Sequence, residues 1–319
     1  MDSGRDREIK GVHPLADVAH VLNLPRRQVR ALIDRYRVTS GRGFRLGRYA
    51  PDDTAGKLVT KNQADALLAA SVDRLAELQE KLYAHGSWSV LCVFQAMDAA
   101  GKDGTIKHVL SGVNPQGVHV TSFKAPSAEE LAHDFLWRCV RALPPRGHIA
   151  IFNRSHYEEV LTVRVHAELL ENQRLPRAVV SPKIWRERLE AIADFERMLA
   201  RQGTIILKFF LNVSKGEQRR RLLERLEDPA KFWKFSAADL AERGFWKQYH
   251  AAYDEAVAAT AAPHAPWFVV PADHKWFTHL VVGAALIEAL DSIDLAPPKM
   301  TAERRRALAE ARAQLSRRR

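Results

Sequence analysis

The stretch from Ser89 to Lys107 constrains this chain more than any other. Ser89-Val90-Leu91-Cys92-Val93-Phe94 is apolar and β-branched enough for a buried strand, and Gln95-Ala96-Met97-Asp98-Ala99-Ala100-Gly101 then supplies small residues for a tight turn. Lys102-Asp103-Gly104-Thr105-Ile106-Lys107 opens a helix. Small residues let backbone N–H groups close on an anion, and the helix directs its positive dipole end at the same point. A lysine at the helix start adds a mobile cation for terminal phosphates. The stretch departs from the G-x-x-x-x-G-K-[ST] pattern at two places. Ala96 stands at the first glycine, and Asp103 stands where a metal-binding hydroxyl follows the lysine.

The rest of the chain alternates strand and helix around that loop. The apolar spacing of Lys61–His85 predicts one long helix that stops at Gly86. Val118–Phe123, His148–Phe152, Thr204–Val213 and Trp267–Val270 read as strands, with helices at Ala128–Leu143, Pro182–Gln202, Lys215–Leu226 and Trp276–Leu290. Five near-continuous apolar strands separated by helices predict a parallel sheet buried on both faces. In such sheets the ligand sits at the carboxyl ends of the strands, where the glycine loop already lies.

The flanks are less regular. Residues 1–36 carry an apolar spacing for two short helices around a turn; a helix-turn-helix and a plain packing pair give the same pattern, and the packing pair is the simpler reading. Residues 37–60 are rich in Gly and Arg, show no sustained period, and read as an extended arm or loop. Ala302–Arg319 holds seven arginines against two glutamates at helical Ala/Leu spacing, which reads as a solvated basic helix.

With 319 residues and 46% hydrophobic content, the chain can bury one substantial core, and it does not resemble a disordered sequence. Apolar runs such as Thr204–Val213 are shorter than the ~20 residues that span a bilayer, and Met1–Arg7 lacks an apolar signal core. The expectation is a cytoplasmic protein without a membrane partner. Cys92 and Cys139 both sit inside apolar patterns and read as small buried hydrophobes. The net charge of +11 points to a polyanion or an anionic substrate.

Three segments share the logic of phosphoryl transfer, in which a protein mainly positions phosphates and neutralises developing charge. In the loop, Lys102 is the candidate phosphate clamp and Asp98 the candidate magnesium ligand, with Thr105 as an alternative hydroxyl. In the second segment, a strand ends at Asn153 and is followed by Arg154, His156, Glu158 and Glu159. Arg154 is placed to meet phosphate through two parallel hydrogen bonds, and His156 reads as a packing residue. In the third, Arg219, Arg220, Arg221, Arg225, Lys231 and Lys234 form a basic helix and turn, the composition of a lid that closes positive charge over phosphates. Its interleaved Trp233, Phe235, Trp246 and Tyr249 suit base stacking, although at helical spacing they read more simply as core.

Together these segments resemble the second polyphosphate kinase family. The resemblance is carried by Gln95–Lys107, Ser111–Gly117, Ser122–Ser127, Phe152–Leu161 with Val163–His166, Asp228–Ser236, and Ala265–Trp267 with Pro271–Trp276. It extends over roughly Tyr36–Leu290. It implies a three-layer α/β/α P-loop kinase fold of the thymidylate-kinase type, with a parallel central sheet and a helical lid. It also implies magnesium-dependent transfer of phosphate from inorganic polyphosphate to nucleotides. The domain expectation that follows is an N-terminal helical extension at 1–35, a kinase domain at 36–295 with its lid at about 215–250, and a basic tail at 296–319.

By the same resemblance, Asp98, Lys102, Arg154 and Glu158 are the catalytic set. Ala99, Ala100, Gly101, Asp103, Gly104, Thr105 and Asn153 bind nucleotide or phosphate. Lys107, Lys124, Arg219, Arg221, Arg225, Lys231 and Lys234 line the polyphosphate path, and Asp98 holds magnesium. Asn153 together with Glu158 looks like the third class of the family, whose members accept nucleoside mono- and diphosphates. A homo-oligomer, dimer or tetramer, is implied as well. The alternatives are an ATP-dependent nucleotide or small-molecule kinase and, from another class, a nucleic-acid-binding protein using the N-terminal helices and the basic tail.

Overall fold

The computed structural model describes residues 26–56, 59–296 and 300–316, leaving aside the side chains of residues 26–28 and 234. Six strands form one sheet: β1 Arg37–Val38, β2 Ser89–Ala96, β3 Val118–Ser122, β4 Ile149–Asn153, β5 Thr204–Asn212 and β6 Trp267–Pro271, in spatial order β1-β6-β5-β2-β4-β3. All neighbours run parallel except β1, which pairs antiparallel with β6. Every residue of β2 and β6 is buried, as expected for strands covered on both faces, but β3, at the edge of the sheet, has no buried residue, so the expectation of burial on both faces fails there.

The helices that matter for the site are α1 Arg26–Tyr36, α2 Lys61–His85, α3 Lys102–Val109, α4 Ile184–Arg201, α5 Lys215–Glu227, α6 Trp246–Thr260, α7 Lys275–Asp291 and α8 Ala302–Ser316. Helices α1, α2, α3 and α7 pack together on one side of the sheet, while α4 and α6 pack on the other. The bounds of α2 follow from its ends. The Gln63 side chain accepts from the N–H of Thr60 at 3.1 Å, and Gly86 takes the left-handed φ of 66° that closes the last turn.

Two expectations change. The helix read at Ala128–Leu143 is two short ones, Ala128–Leu131 and Trp137–Arg141. The Asp134 carboxylate accepts from the backbone N–H of Leu136 at 2.9 Å, which gives that amide a partner outside a helix. The arm at 37–60 contributes the edge strand β1, two residues too short for any period to reveal.

In α1, Val29, Leu32 and Ile33 are fully buried, so this helix is a packing element; the first helix of the predicted pair lies outside the described residues. Cys92 and Cys139 are buried free thiols, each pushed up by burial. Every residue of α8 is exposed. No described helix is long and apolar enough to cross a membrane.

Candidate active site

The central strand β2 delivers its loop to the carboxyl edge of the sheet, between β4 and β5. Ala96 remains in the strand and needs no glycine's freedom. The left-handed positions come later, at Ala99 (φ 59°) and Gly101 (φ 104°). A side chain at Gly101 would be strained at that φ, although its Cβ would meet Arg221 Nη1 only at an ordinary contact distance of 3.5 Å. The first helical hydrogen bond of α3 is Thr105 N–H to Gly101 carbonyl, so the amides of Lys102, Asp103 and Gly104 have no acceptor within the helix. These amides form the anion-facing end of the helix.

Helix α5 secures the loop from behind. Gln218 Nε2 donates to the Asp98 carbonyl at 3.0 Å, and Arg221 Nη1 donates to the carbonyls of Ala99 at 3.2 Å and Ala100 at 2.7 Å. Arg221 Nη2 also reaches the carbonyls of Ala272 and Asp273 just after β6, at 2.6 and 3.2 Å. Three consecutive loop carbonyls therefore turn back into the protein. The Ala100 N–H, on the middle of these three peptide planes, is also turned inward and donates to the Met97 carbonyl at 3.3 Å.

Around this loop the charged groups converge. Lys102 Nζ donates to the Ala96 carbonyl at 3.1 Å. Burial, and then the neighbouring Arg154 charge, bring its pKa down to about 8 against the pull of Asp98, Glu158 and Asp103. Arg154 adopts a left-handed φ of 62°, an uncommon conformation for a side-chain-bearing residue. Its guanidinium bridges Asp98 Oδ1 at 2.9 Å and Glu158 Oε2 at 3.2 Å. Glu158 is the first cause holding Arg154 firmly protonated. Glu158 is further fixed by the Thr162 hydroxyl at 2.7 Å and by Gln95, whose amide donates to Oε1 at 2.9 Å while accepting from Ser155. Asn153 Nδ2 donates to Asp103 Oδ1 at 2.6 Å across the lip of the loop.

Beside Arg154 and Glu158 opens a cavity of about 500 Å³, walled by Phe123, Pro126, Leu131, Val163 and Leu169 with Lys124 at its side. A largely apolar chamber that ends at the Arg154 guanidinium suits a ligand with a flat organic part and an anionic tail.

The profile of the family described as Polyphosphate kinase 2 matches residues 58–297. The chain belongs to the polyphosphate kinase 2 family. It is 47% identical over 281 residues to the ADP-polyphosphate phosphotransferase of Rhodopseudomonas palustris, covering 88% of this chain and 97% of that one. It is also 47% identical over 265 residues to the AMP/ADP-polyphosphate phosphotransferase of Meiothermus ruber, covering 83% of this chain and 95% of that one. The crystal structure of polyphosphate kinase 2 from Arthrobacter aurescens TC1 superposes with a TM-score of 0.79 at 43% identity, over 88% of this chain and 96% of that one. The architecture is the P-loop kinase fold.

Within this polyphosphate kinase 2 chain, Asp98, Lys102, Asp103, Asn153, Arg154 and Glu158 meet at one edge. Thr105 is only 2% exposed, so the loop presents the Asp98 carboxylate, and not this hydroxyl, at its mouth. Lys107, Lys124 and Arg219 are exposed. Arg225 pairs with Asp239 at 3.0 Å, and Lys231 with Glu224 at 2.8 Å and Asp228 at 2.9 Å. Lys234 falls among the side chains left aside. Arg221, expected along the lid channel, is buried beneath the loop. Trp246 and Tyr249 pack against the core, whereas Trp233, in the turn that follows α5, is 71% exposed.

The sequence reading missed Gln95 and Gln218. Gln95 had a signal, being the one amide in an apolar strand. Among the described residues no group of three or more His, Cys, Asp or Glu could hold a metal ion. A hard divalent ion that takes one carboxylate and completes its shell with phosphate oxygens and water fits Asp98.

Proposed function

We propose that this enzyme transfers phosphate from inorganic polyphosphate to nucleoside mono- and diphosphates, adenine and guanine alike, in a reversible, magnesium-dependent reaction. The observation that carries the reading is the convergence of Lys102, Arg154 and Asp98 on one phosphate loop whose neighbouring cavity ends on Arg154 and Glu158. The names of the two relatives agree with it, one reading ADP and the other AMP/ADP.

The nucleoside would occupy the apolar cavity, with its phosphates reaching Arg154. The amides at the start of α3 and the Lys102 ammonium would hold the transferring phosphoryl group, and Arg154 would offset charge that spreads onto its oxygens. Asp98 would hold the magnesium ion, which would supply further neutralisation of phosphate charge. The attacking phosphate oxygen is already anionic, so no strong base is needed, which agrees with fully buried His156 serving packing. Asn153 supports the broad acceptor range. As an amide it shares a hydrogen bond with Asp103 where a carboxylate would repel it, leaving the lip of the loop less negative.

The test is a matrix of donors and acceptors. With magnesium, long-chain polyphosphate should convert AMP, ADP, GMP and GDP, while ATP should be a poor donor to non-nucleotide acceptors. Turnover with ATP as donor to a non-nucleotide acceptor, together with indifference to polyphosphate, would overturn the reading.

A further inference from the structure

The phosphate loop lies between two cavities, and only one has been given an occupant. The 500 Å³ chamber lies on the β4 side. A second cavity, of about 640 Å³, is built by the 43–56 loop on the β6 side. That loop is pinned to the carboxyl ends of β5 and β6: Asn212 Nδ2 donates to the Tyr49 carbonyl at 2.8 Å and the Asp273 N–H to the Pro51 carbonyl at 3.1 Å. The Asp273 carbonyl is in turn held by Arg221, the residue that braces Ala100. One hydrogen-bonded chain therefore joins the second cavity to the phosphate loop. The loop is also fixed to α6, since the Leu46 N–H donates to Asp254 Oδ1 at 2.5 Å.

The lining has an uncommon charge pattern. On the lid, Arg225 and Lys231 each have carboxylate partners. Arg45 and Arg48, both exposed, reach only the carbonyls of Phe44 and Gly43, at 3.1 and 3.3 Å, and have no carboxylate partner among the described residues. Asp53 is already taken by Arg35 at 2.7 Å and by Tyr36 at 3.0 Å. Asp52 is the one acid in the lining without a cation partner among the described residues. Two uncommitted guanidinium groups on an anchored loop are prepared to hold phosphates in a forked geometry.

In-line transfer places acceptor and donor on opposite sides of the moving phosphoryl group. With the nucleoside on the β4 side, the remaining polymer must leave towards β5 and β6. We infer that the 43–56 loop is a docking subsite for the outgoing stretch of the polyphosphate donor, gripped by Arg45 and Arg48. The inference rests on the polyphosphate reading above. A donor too short to reach the subsite gains nothing from it.

The experiment compares kcat/KM for long-chain polyphosphate with that for tripolyphosphate, using the full chain with magnesium and AMP. In the double variant Arg45→Ala with Arg48→Ala, the long-to-short ratio should fall about tenfold and its salt dependence should flatten. Arg186→Ala, an exposed change on α4, should leave the ratio where it is. Asp52→Asn should raise the ratio about twofold, a gain that no folding defect produces. An unchanged ratio in both the arginine double variant and Asp52→Asn would overturn the subsite while leaving the proposed activity intact. A wild-type enzyme inert towards every polyphosphate would overturn the activity itself.

Discussion

Arg221 Nη1 lies 2.7 Å from the carbonyl oxygen of Ala100, and the same guanidinium holds the carbonyl of Ala272 beyond β6. The phosphate loop is thus tied to the far side of the sheet by one buried arginine, whose Nε is held by Glu217 at 2.7 Å. Arg221→Ala would leave several carbonyls and the Glu217 carboxylate without their donor, at a cost of about 3–5 kcal/mol. Arg221→Lys keeps the charge but cannot span both loops with a single ammonium. The lysine variant should fold with a modest loss in urea unfolding and still lose at least tenfold in kcat, a separation that a purely structural arginine would not give.

Lys102 provides a pH test. Its pKa in the folded protein is lowered to about 8 by burial and by Arg154, from an ordinary 10.5. Between those values the unfolded chain binds more protons than the native one, so stability rises with pH across that window. Unfolding free energies of wild type and Lys102→Met should therefore converge as pH climbs from 8 towards 10.5. Activity should move in the opposite direction. The cationic lysine is the form that neutralises phosphate, so kcat/KM should fall as pH rises through about 8, and Lys102→Arg should lack that limb. Lys102→Ala should lose on the order of a hundredfold in kcat/KM at neutral pH.

What was legible in the sequence follows from these residues. The strands around β2 could be read because parallel strands buried on both faces are nearly continuous apolar runs, and the loop could be read because its small residues and lysine are local in sequence. The role of Arg221 could not. Three successive arginines on a helix point about 100° apart, and composition does not say which direction is inward. In the fold Arg219 and Arg220 are exposed, and Arg221 is buried. Nor could the spacing show that Arg154 would close on Asp98, since that pair joins the ends of two strands 56 residues apart. The break at Asp134 escaped because one side-chain hydrogen bond outweighed a helical apolar pattern.

Asn153 tests acceptor choice. Its amide donates to Asp103 Oδ1 at 2.6 Å, so Asn153→Asp replaces a hydrogen bond with two facing carboxylates. Like charges at that distance raise one carboxyl's pKa and push the lip of the loop apart. The ratio of kcat/KM for AMP to that for ADP should fall severalfold in Asn153→Asp, measured with one polyphosphate preparation. An unchanged ratio would remove Asn153 from acceptor selection.

The turn that presents Glu158 rests on a buried ion pair. Lys208, fully buried in β5, donates to Glu196 Oε2 at 2.5 Å, to the Tyr157 hydroxyl at 3.1 Å and to the Thr260 carbonyl at 2.9 Å. Burial lowers the pKa of Lys208, and Glu196 opposes that fall; Glu196 is itself held below its ordinary value, Lys208 and His156 outweighing burial. Removing one partner strands a charge in the core. Lys208→Met alone should cost about 3–5 kcal/mol, while Lys208→Met with Glu196→Gln should recover most of that, because no uncompensated charge remains. Urea unfolding of the two singles and the double gives the coupling energy directly. Since Tyr157 also bonds Glu196 at 2.8 Å and immediately precedes Glu158, Lys208→Met should lower kcat as well, through a misplaced Glu158. A single variant as stable as wild type would mean that Glu196 takes up a proton and that this pair does not set the position of the turn.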